Sequence, residues 1–136
     1  MPEADAAENA MAYLEACIAE QNSSGGVVEC IISGVPAGIG DPVFEKLNAN
    51  LAKAVMSIGA VKGFEIGDGF DVAKATGKNN NDAFRIGADG SVSKETNHAG
   101  GILGGMSDGS AIILRATIKP TPSISATQHT VNKSGD

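Results

Sequence analysis

Apolar residues recur at helical spacing over residues 5–21, where Met11, Leu14, Cys17 and Ile18 share one face. Asp5 can cap this helix, Ala6 and Ala7 favour it, and Asn22-Ser23-Ser24-Gly25-Gly26 ends it with turn formers. The period then changes. Val27-Val28-Glu29-Cys30-Ile31-Ile32 is rich in β-branched residues and reads as a strand, with Val28, Cys30 and Ile32 toward one side and Val27, Glu29 and Ile31 toward the other. After a Gly/Pro loop from Gly34 to Gly40, Asp41 at an N-cap and Pro42 at the first helical position predict a second helix to about Ser57. Its stripe is Val43, Phe44, Leu47, Leu51, Ala54 and Val55, expected to bury against a sheet.

Lys62–Ile66 reads as a short strand closed by Gly67-Asp68-Gly69. From Asp71 to Thr96 the chain is polar and turn-rich, most hydrophilic at Lys78-Asn79-Asn80-Asn81-Asp82, and a loop of that length is usually functional or mobile. Ala111–Lys119 alternates strongly and predicts a strand with Ile112, Leu114, Ala116 and Ile118 on one face. A last edge strand is expected near Thr127–Val131. This order of elements indicates one α+β domain spanning residues 1–136, with helices packed on a largely antiparallel sheet.

Composition narrows the function classes. A hydrophobic fraction of 42% and a charged fraction of 19% fit a globular chain, since a disordered one would be far more polar. A net charge of −6 with no basic stripe argues against nucleic acid and against a membrane surface, and no apolar run approaches the roughly 20 residues of a membrane helix. The acidic start Met1-Pro2-Glu3-Ala4-Asp5 is unlike a secretory or mitochondrial signal. Cys17 and Cys30 have no metal-pair or disulfide spacing, and are expected to be reduced core thiols of a cytoplasmic protein. No metal site is expected from His98 and His129.

Two segments have the makings of an anion site. The strand–loop–helix at residues 27–44 resembles a phosphate cradle, but Val43 replaces the third glycine of a dinucleotide loop and Asp41 stands where the anion would bind. A structural turn into a capped helix is the better reading. The second is residues 100–109, with Gly100, Gly101, Gly104, Gly105 and Gly109, followed by Arg115, Thr117 and Lys119 at alternating positions. Glycines let backbone N–H groups approach a ligand, and that strand face suits a phosphate. A flexible hairpin leading into a strand with a solvated polar face explains the same residues. The pattern leaves both readings open.

The segments Gly25–Cys30, Gly34–Phe44, Ala60–Phe70, Asn97–Gly105 and Lys119–Ile124 resemble, in order and in one register, the corresponding stretches of chorismate synthases. The resemblance covers nearly the whole chain. It implies a β-α-β sandwich with helices between sheets, a homotetramer, and a lyase of the shikimate pathway. That activity is a 1,4-elimination of phosphate from 5-enolpyruvylshikimate 3-phosphate, giving chorismate with reduced FMN and no net redox change. The family's FMN contacts fall on Gly59, Ala60, Gly104, Lys119, Pro120, Thr121, Pro122 and Ser123. Reading the residues alone finds Gly104 and Lys119 and passes over the turn at 59–60.

Departures from the family pattern bound that expectation. The Gly-Glu-Ser-His motif with one catalytic histidine, the Ser-x-Arg region with the second, and the Arg-x-Asp-Pro motif do not occur in these 136 residues. Neither His98 nor His129 aligns with a catalytic histidine, so no catalytic residue is expected in this chain. Gly59 stands where Asn or Pro is common. Both flavin and substrate carry phosphate while this chain is net acidic, so much of the basic pocket is expected elsewhere in a longer enzyme, of which this is a partial core. The chain alone is expected to be inactive. The alternative expectation is a non-catalytic flavin- or anion-binding domain of the same fold.

Overall fold

The structure is a computed structural model describing residues 3–135. It separates into two compact units, one made of Met1–Gly26 with Lys119–Asp136 and the other of Val27–Ile118.

In the first unit, helix α1 spans Ala4–Ala19 with Glu3, not Asp5, at the N-cap position and no side-chain cap. Asp5 lies in the first turn, where a negative charge favours the helix dipole. The helix stops at Ala19 because Gln21 turns left-handed (φ 55°). The N–H of Asn22 then bonds the Cys17 carbonyl at 2.8 Å and that of Gln21 bonds Ile18 at 3.0 Å, which satisfies the last turn. Only Cys17 of the apolar stripe is buried, while Met11, Leu14 and Ile18 are exposed. No strand forms over residues 127–131, where an edge strand was expected. That tail is tied instead by isolated bonds, Ala126 N–H to the Gln21 carbonyl and Gln128 Nε2 to the Pro122 carbonyl.

The second unit centres on a three-stranded sheet of β1 (Gly26–Ile32), β2 (Val61–Ile66) and β7 (Ile112–Ile118), in the order β1-β7-β2. β2 and β7 are antiparallel, from Val61 opposite Ile118 to Ile66 opposite Leu114, with a bulge between Val61 and Gly63. The predicted alternation of β7 holds: Ile112, Leu114 and Ala116 are buried. Val28, Cys30 and Ile32 share their apolar face, together with Leu51 and Val55 of α2 (Leu47–Met56). Cys30 is exposed on this open groove, so it is not the core thiol expected from its strand position.

The second helix begins six residues later than Asp41. Val43–Glu45 forms a short 3-10 turn, Val43 is left-handed (φ 65°), and Lys46 is extended. The Asp41 N–H bonds the Glu45 carbonyl rather than opening a helix, and the Leu47 N–H bonds the Gly105 carbonyl at 2.7 Å. Val43 and Phe44 consequently leave the apolar stripe and are 66% and 87% exposed.

The polar segment 71–96 is not one loop. A 3-10 turn, Gly69–Lys74, precedes an antiparallel hairpin of β3 (Phe84–Ile86) and β4 (Val92–Lys94). At the end of β4 the Lys94 ammonium is buried between two carboxylates, 2.7 Å from Asp108 Oδ2 and 3.3 Å from Asp82 Oδ2. Asp82 also accepts from the Thr96 hydroxyl and from the backbone N–H groups of His98 and Ala99. Asn97 completes the knot, accepting from Lys94 and from the Gly101 N–H while donating to the Ala111 carbonyl.

Burial by itself would push the Asp82 carboxyl up, but the Thr96 hydroxyl, the two N–H groups and Lys94 outweigh it and hold the group well below the usual carboxylate range. A carboxylate depressed in the folded state contributes stability at pH values above its unfolded pKa of about 3.9, and that contribution is lost as pH falls toward its folded value. Urea-denaturation midpoints should therefore fall as pH is lowered below about 4, and the fall should be shallower in Asp82→Asn. Equal pH slopes in the two proteins would contradict this. Lys94→Met leaves two buried carboxylates facing each other and should cost about 3–5 kcal/mol in the same assay at neutral pH.

Candidate functional site

The knot around Asp82 fixes the backbone of His98 and Ala99, and so sets the start of the glycine run. Gly100 and Gly101 do not form an anion nest. Their N–H groups are taken by the Asn97 carbonyl and the Asn97 Oδ1. A Cβ on Gly100 would strike the backbone of Gly67, and one on Gly101 the carbonyl of Ala111. Both are glycines because two chain segments touch there.

Gly104 differs. It turns the two-residue hairpin between β5 (Ile102–Leu103) and β6 (Met106–Ser107) with φ 61°, and an added Cβ would meet nothing in the chain. Beside it opens a cleft lined by Lys46, Asn48, Ile66, Val72, Asn80 and His98, with Ile102, Gly104 and Gly105 at its edge. Three groups give the cleft its character. His98 Nδ1 lies 2.6 Å from Asp68 Oδ2, which orients the ring and leaves Nε2 as the nitrogen without a partner among the described residues. Asn80 Oδ1 is buried with no hydrogen-bond partner, the one such side-chain atom among the described residues. Lys46 runs its stem against Gly105 and forms no ion pair among the described residues.

Arg115, which the pattern left open as either a phosphate ligand or part of a solvated strand face, is engaged within the sheet. Nε donates to Glu65 Oε1 at 2.9 Å, Nη1 faces Glu29 Oε2 at 3.4 Å, and Nη2 donates to the Gly67 carbonyl. The N–H of Phe70 and the bond from Arg115 hold the Glu65 carboxyl below its ordinary range. Thr117 stands on the same face, but the strand ends at Ile118 and Lys119 lies beyond it. The phosphate face read from β7 is thus a charge clamp on β1 and β2. The loop at Gly38–Gly40 is likewise structural: the Gly38 N–H bonds the Ser107 carbonyl, and the buried Ser107 hydroxyl donates to the Pro36 carbonyl.

Of the residues that the family resemblance marks for FMN, Gly104 borders the cleft and Gly59-Ala60 forms the turn between α2 and β2. α2 begins beside the cleft and runs for 10 residues, so about 15 Å of helix separates that turn from the cleft mouth. Ala60 is left-handed there (φ 71°), a conformation that costs a non-glycine residue about 1–2 kcal/mol and collects at functional turns. Lys119, Pro120, Thr121, Pro122 and Ser123 belong to the first unit, where the Thr121 carbonyl accepts from the Ser23 hydroxyl at 2.7 Å. His129 lies in the tail and takes part in no helix or strand. Sequence reading passed over Lys46, Asp68 and Asn80. Asp68 meets His98 thirty residues on, and Asn80 sits in the most hydrophilic stretch, so neither carries a local pattern.

Comparison with known proteins agrees along the full chain. The chorismate synthase family profile matches residues 1–136. The chorismate synthase of Agathobacter rectalis is 73% identical over all 136 residues, and that of Methanosarcina barkeri 55% identical over 128. The chain spans 37% of the length of the first of these and 35% of the second. A crystal structure of chorismate synthase superposes with a TM-score of 0.79 at 32% identity, covering 83% of this chain and 34% of that one. Its likeness agrees with the α+β architecture of helices and antiparallel sheet described above. With every residue inside the family profile and the fold shared, this chain belongs to the chorismate synthase family.

Proposed function

We propose that this chain supplies part of the flavin site of an enzyme that eliminates phosphate from 5-enolpyruvylshikimate 3-phosphate to give chorismate. The observation that carries this reading is Gly104. It holds a left-handed hairpin position with open space where a side chain would stand, beside a cleft that brings Lys46, Asn80 and His98 together with Ile66 and Ile102. A flavin ring fits such a donor set, because it brings both hydrogen-bonding edges and a flat apolar face.

Gly59, Ala60 and Gly104, with Lys119, Pro120, Thr121, Pro122 and Ser123, are the residues we assign to FMN. Reduced FMN supplies electron density to the departing allylic phosphate when it is bound. The chain's own part is to bind and orient. Glycine at 104 permits close approach, Lys119 contributes positive charge, and Ile66 and Ile102 give the cleft an apolar flank. The histidine motifs that carry proton transfer in the family lie outside these residues, so turnover belongs to the longer enzyme, in the cytoplasm and as a homotetramer.

Titration of FMN fluorescence tests the assignment. Residues 1–136 should quench it in the high micromolar range and form no chorismate when supplied with reduced FMN and substrate. Gly104→Ala should lose only about 1 kcal/mol of stability, since its Cβ touches nothing in the chain, yet weaken FMN binding by about tenfold. An unchanged FMN affinity in this variant would remove Gly104 from the site.

A further inference from the structure

His98 stands on fixed backbone, because Asp82 accepts its N–H at 2.7 Å and that of Ala99 at 2.9 Å. Its ring lines the cleft and is 30% exposed, with Asp68 Oδ2 2.6 Å from Nδ1. A carboxylate at that nitrogen keeps a proton on Nδ1. Nε2, on the other edge of the ring, has no partner among the described residues and keeps accessible surface. A proton gained by the neutral ring therefore goes to Nε2. The charged groups on the neighbouring elements are engaged with one another. Asp71 pairs with Lys74 on the turn Gly69–Lys74, Arg115 holds Glu65 on β2, and Lys94 and Thr96 hold Asp82. Glu95, on the segment that carries His98, is exposed.

The lining of the cleft departs from the charge of the chain as a whole. The chain has 16 acidic residues and a net charge of −6, yet among the described residues no carboxylate lines this cleft. Its titratable side chains are Lys46 and His98, and Asn48 adds a neutral carboxamide. Lys46 lays its stem against Gly105 and forms no ion pair among the described residues. An ammonium and an imidazolium N–H are both cationic donors, and they complement the acceptor oxygens of a phosphate group. Asp68, outside the lining, balances the charge of the ring, and Lys46 supplies the surplus. Once the ring is neutral, Nε2 turns a lone pair to the cleft and no longer donates.

We propose that Lys46 and His98 form a phosphate-binding subsite in this cleft, with Asp68 as the positioning residue that holds the ring by Nδ1 and leaves Nε2 to the ligand. The ligand class is a phosphate monoester, a group that FMN and the phosphorylated substrate of the proposed function both carry. The subsite stands independently of the flavin reading of Gly104. Phosphate is held by the protonated ring and bound more weakly as pH rises through the titration of His98.

The chain has two histidines, so proton NMR follows each ring, and His129 in the tail serves as the internal reference. The test titrates both rings with pH in inorganic phosphate and in sodium chloride of equal ionic strength. A ligand that prefers the protonated ring raises its midpoint, so phosphate at about ten times its Kd should move His98 up by about one pH unit and leave His129 in place. Lys46→Met should weaken phosphate binding about fivefold, the worth of an exposed ion pair, and Lys46→Arg should keep it. Asp68→Ala should lose most of the phosphate-dependent shift, whereas Asp68→Asn, whose carbonyl still accepts from Nδ1–H, should retain it. An equal His98 midpoint in phosphate and chloride overturns the proposal, as does a shift shared with His129 or unchanged phosphate binding in Lys46→Met. Repeating the titration with FMN and with riboflavin, which lacks the phosphate, identifies the source. A rise with FMN alone supports the proposal and assigns the subsite to the flavin phosphate. A rise with inorganic phosphate and with neither flavin supports it for the phosphorylated substrate, and FMN fluorescence left unquenched would then remove the flavin reading alone.

Discussion

The arrangement of the larger unit depends on one buried cation. Lys94 lies with 3% of its side chain exposed between Asp82 and Asp108, at 4% and 8%. One positive charge against two negative ones would be a poor bargain in a dry interior. It is tolerated because Asp82 receives three further hydrogen bonds and Asp108 receives the Ser110 N–H. Those donors come from residues 94–99 and 110, distant in sequence from Asp82. Satisfying the charges therefore dictates where the chain must pass. The hairpin, the start of the glycine run and the approach to the central strand are fixed by a single requirement: no buried charge left unpaired.

From that knot the cleft follows by close contact. Gly67 and Gly100 pack backbone to backbone, Gly101 packs on Ala111, and Gly105 lies under the stem of Lys46. Each of these glycines is explained by a neighbour within the chain. Gly104 alone in the run 100–105 has open space around it, and it faces the cleft. Its own requirement is conformational, since it turns the hairpin at φ 61°. On the opposite sheet face, Arg115 ties Glu29, Glu65 and the Gly67 carbonyl. It holds the Gly67–Gly69 turn that carries Asp68, and through Asp68 it supports the orientation of His98.

Particular elements show how far local pattern reaches. β7 was legible to within one residue at each end, since a central strand with one buried face must alternate, and Ile112, Leu114 and Ala116 do. α2 was legible in its second half and misread at its start. Asp41-Pro42 is a strong capping signal, but the Gly105 carbonyl captures the Leu47 N–H and resets the first turn there. The β3–β4 hairpin went unseen because its strands are three residues long and their apolar residues Phe84, Ile86 and Val92 are exposed, so burial left no apolar alternation. Asp89-Gly90 was the available signal: the Asp89 carboxylate bonds both the N–H and the hydroxyl of Ser91 to close that turn.

The sequence by itself determined the fold class, the buried face of β7, and, through ordered motifs that only a shared ancestor explains, the family. Its glycine run marked the neighbourhood of the cleft. Tertiary structure alone decided which glycines are packed and which are open, that Arg115 is a clamp, and that Asp68, Asn80 and Lys46 stand beside His98 and Gly104. The physical reason is the range of the forces. Periodicity and capping act over a few residues and are written locally. Pairing of buried charges and satisfaction of buried polar atoms join residues tens of positions apart, and they become visible only once the chain has closed on itself.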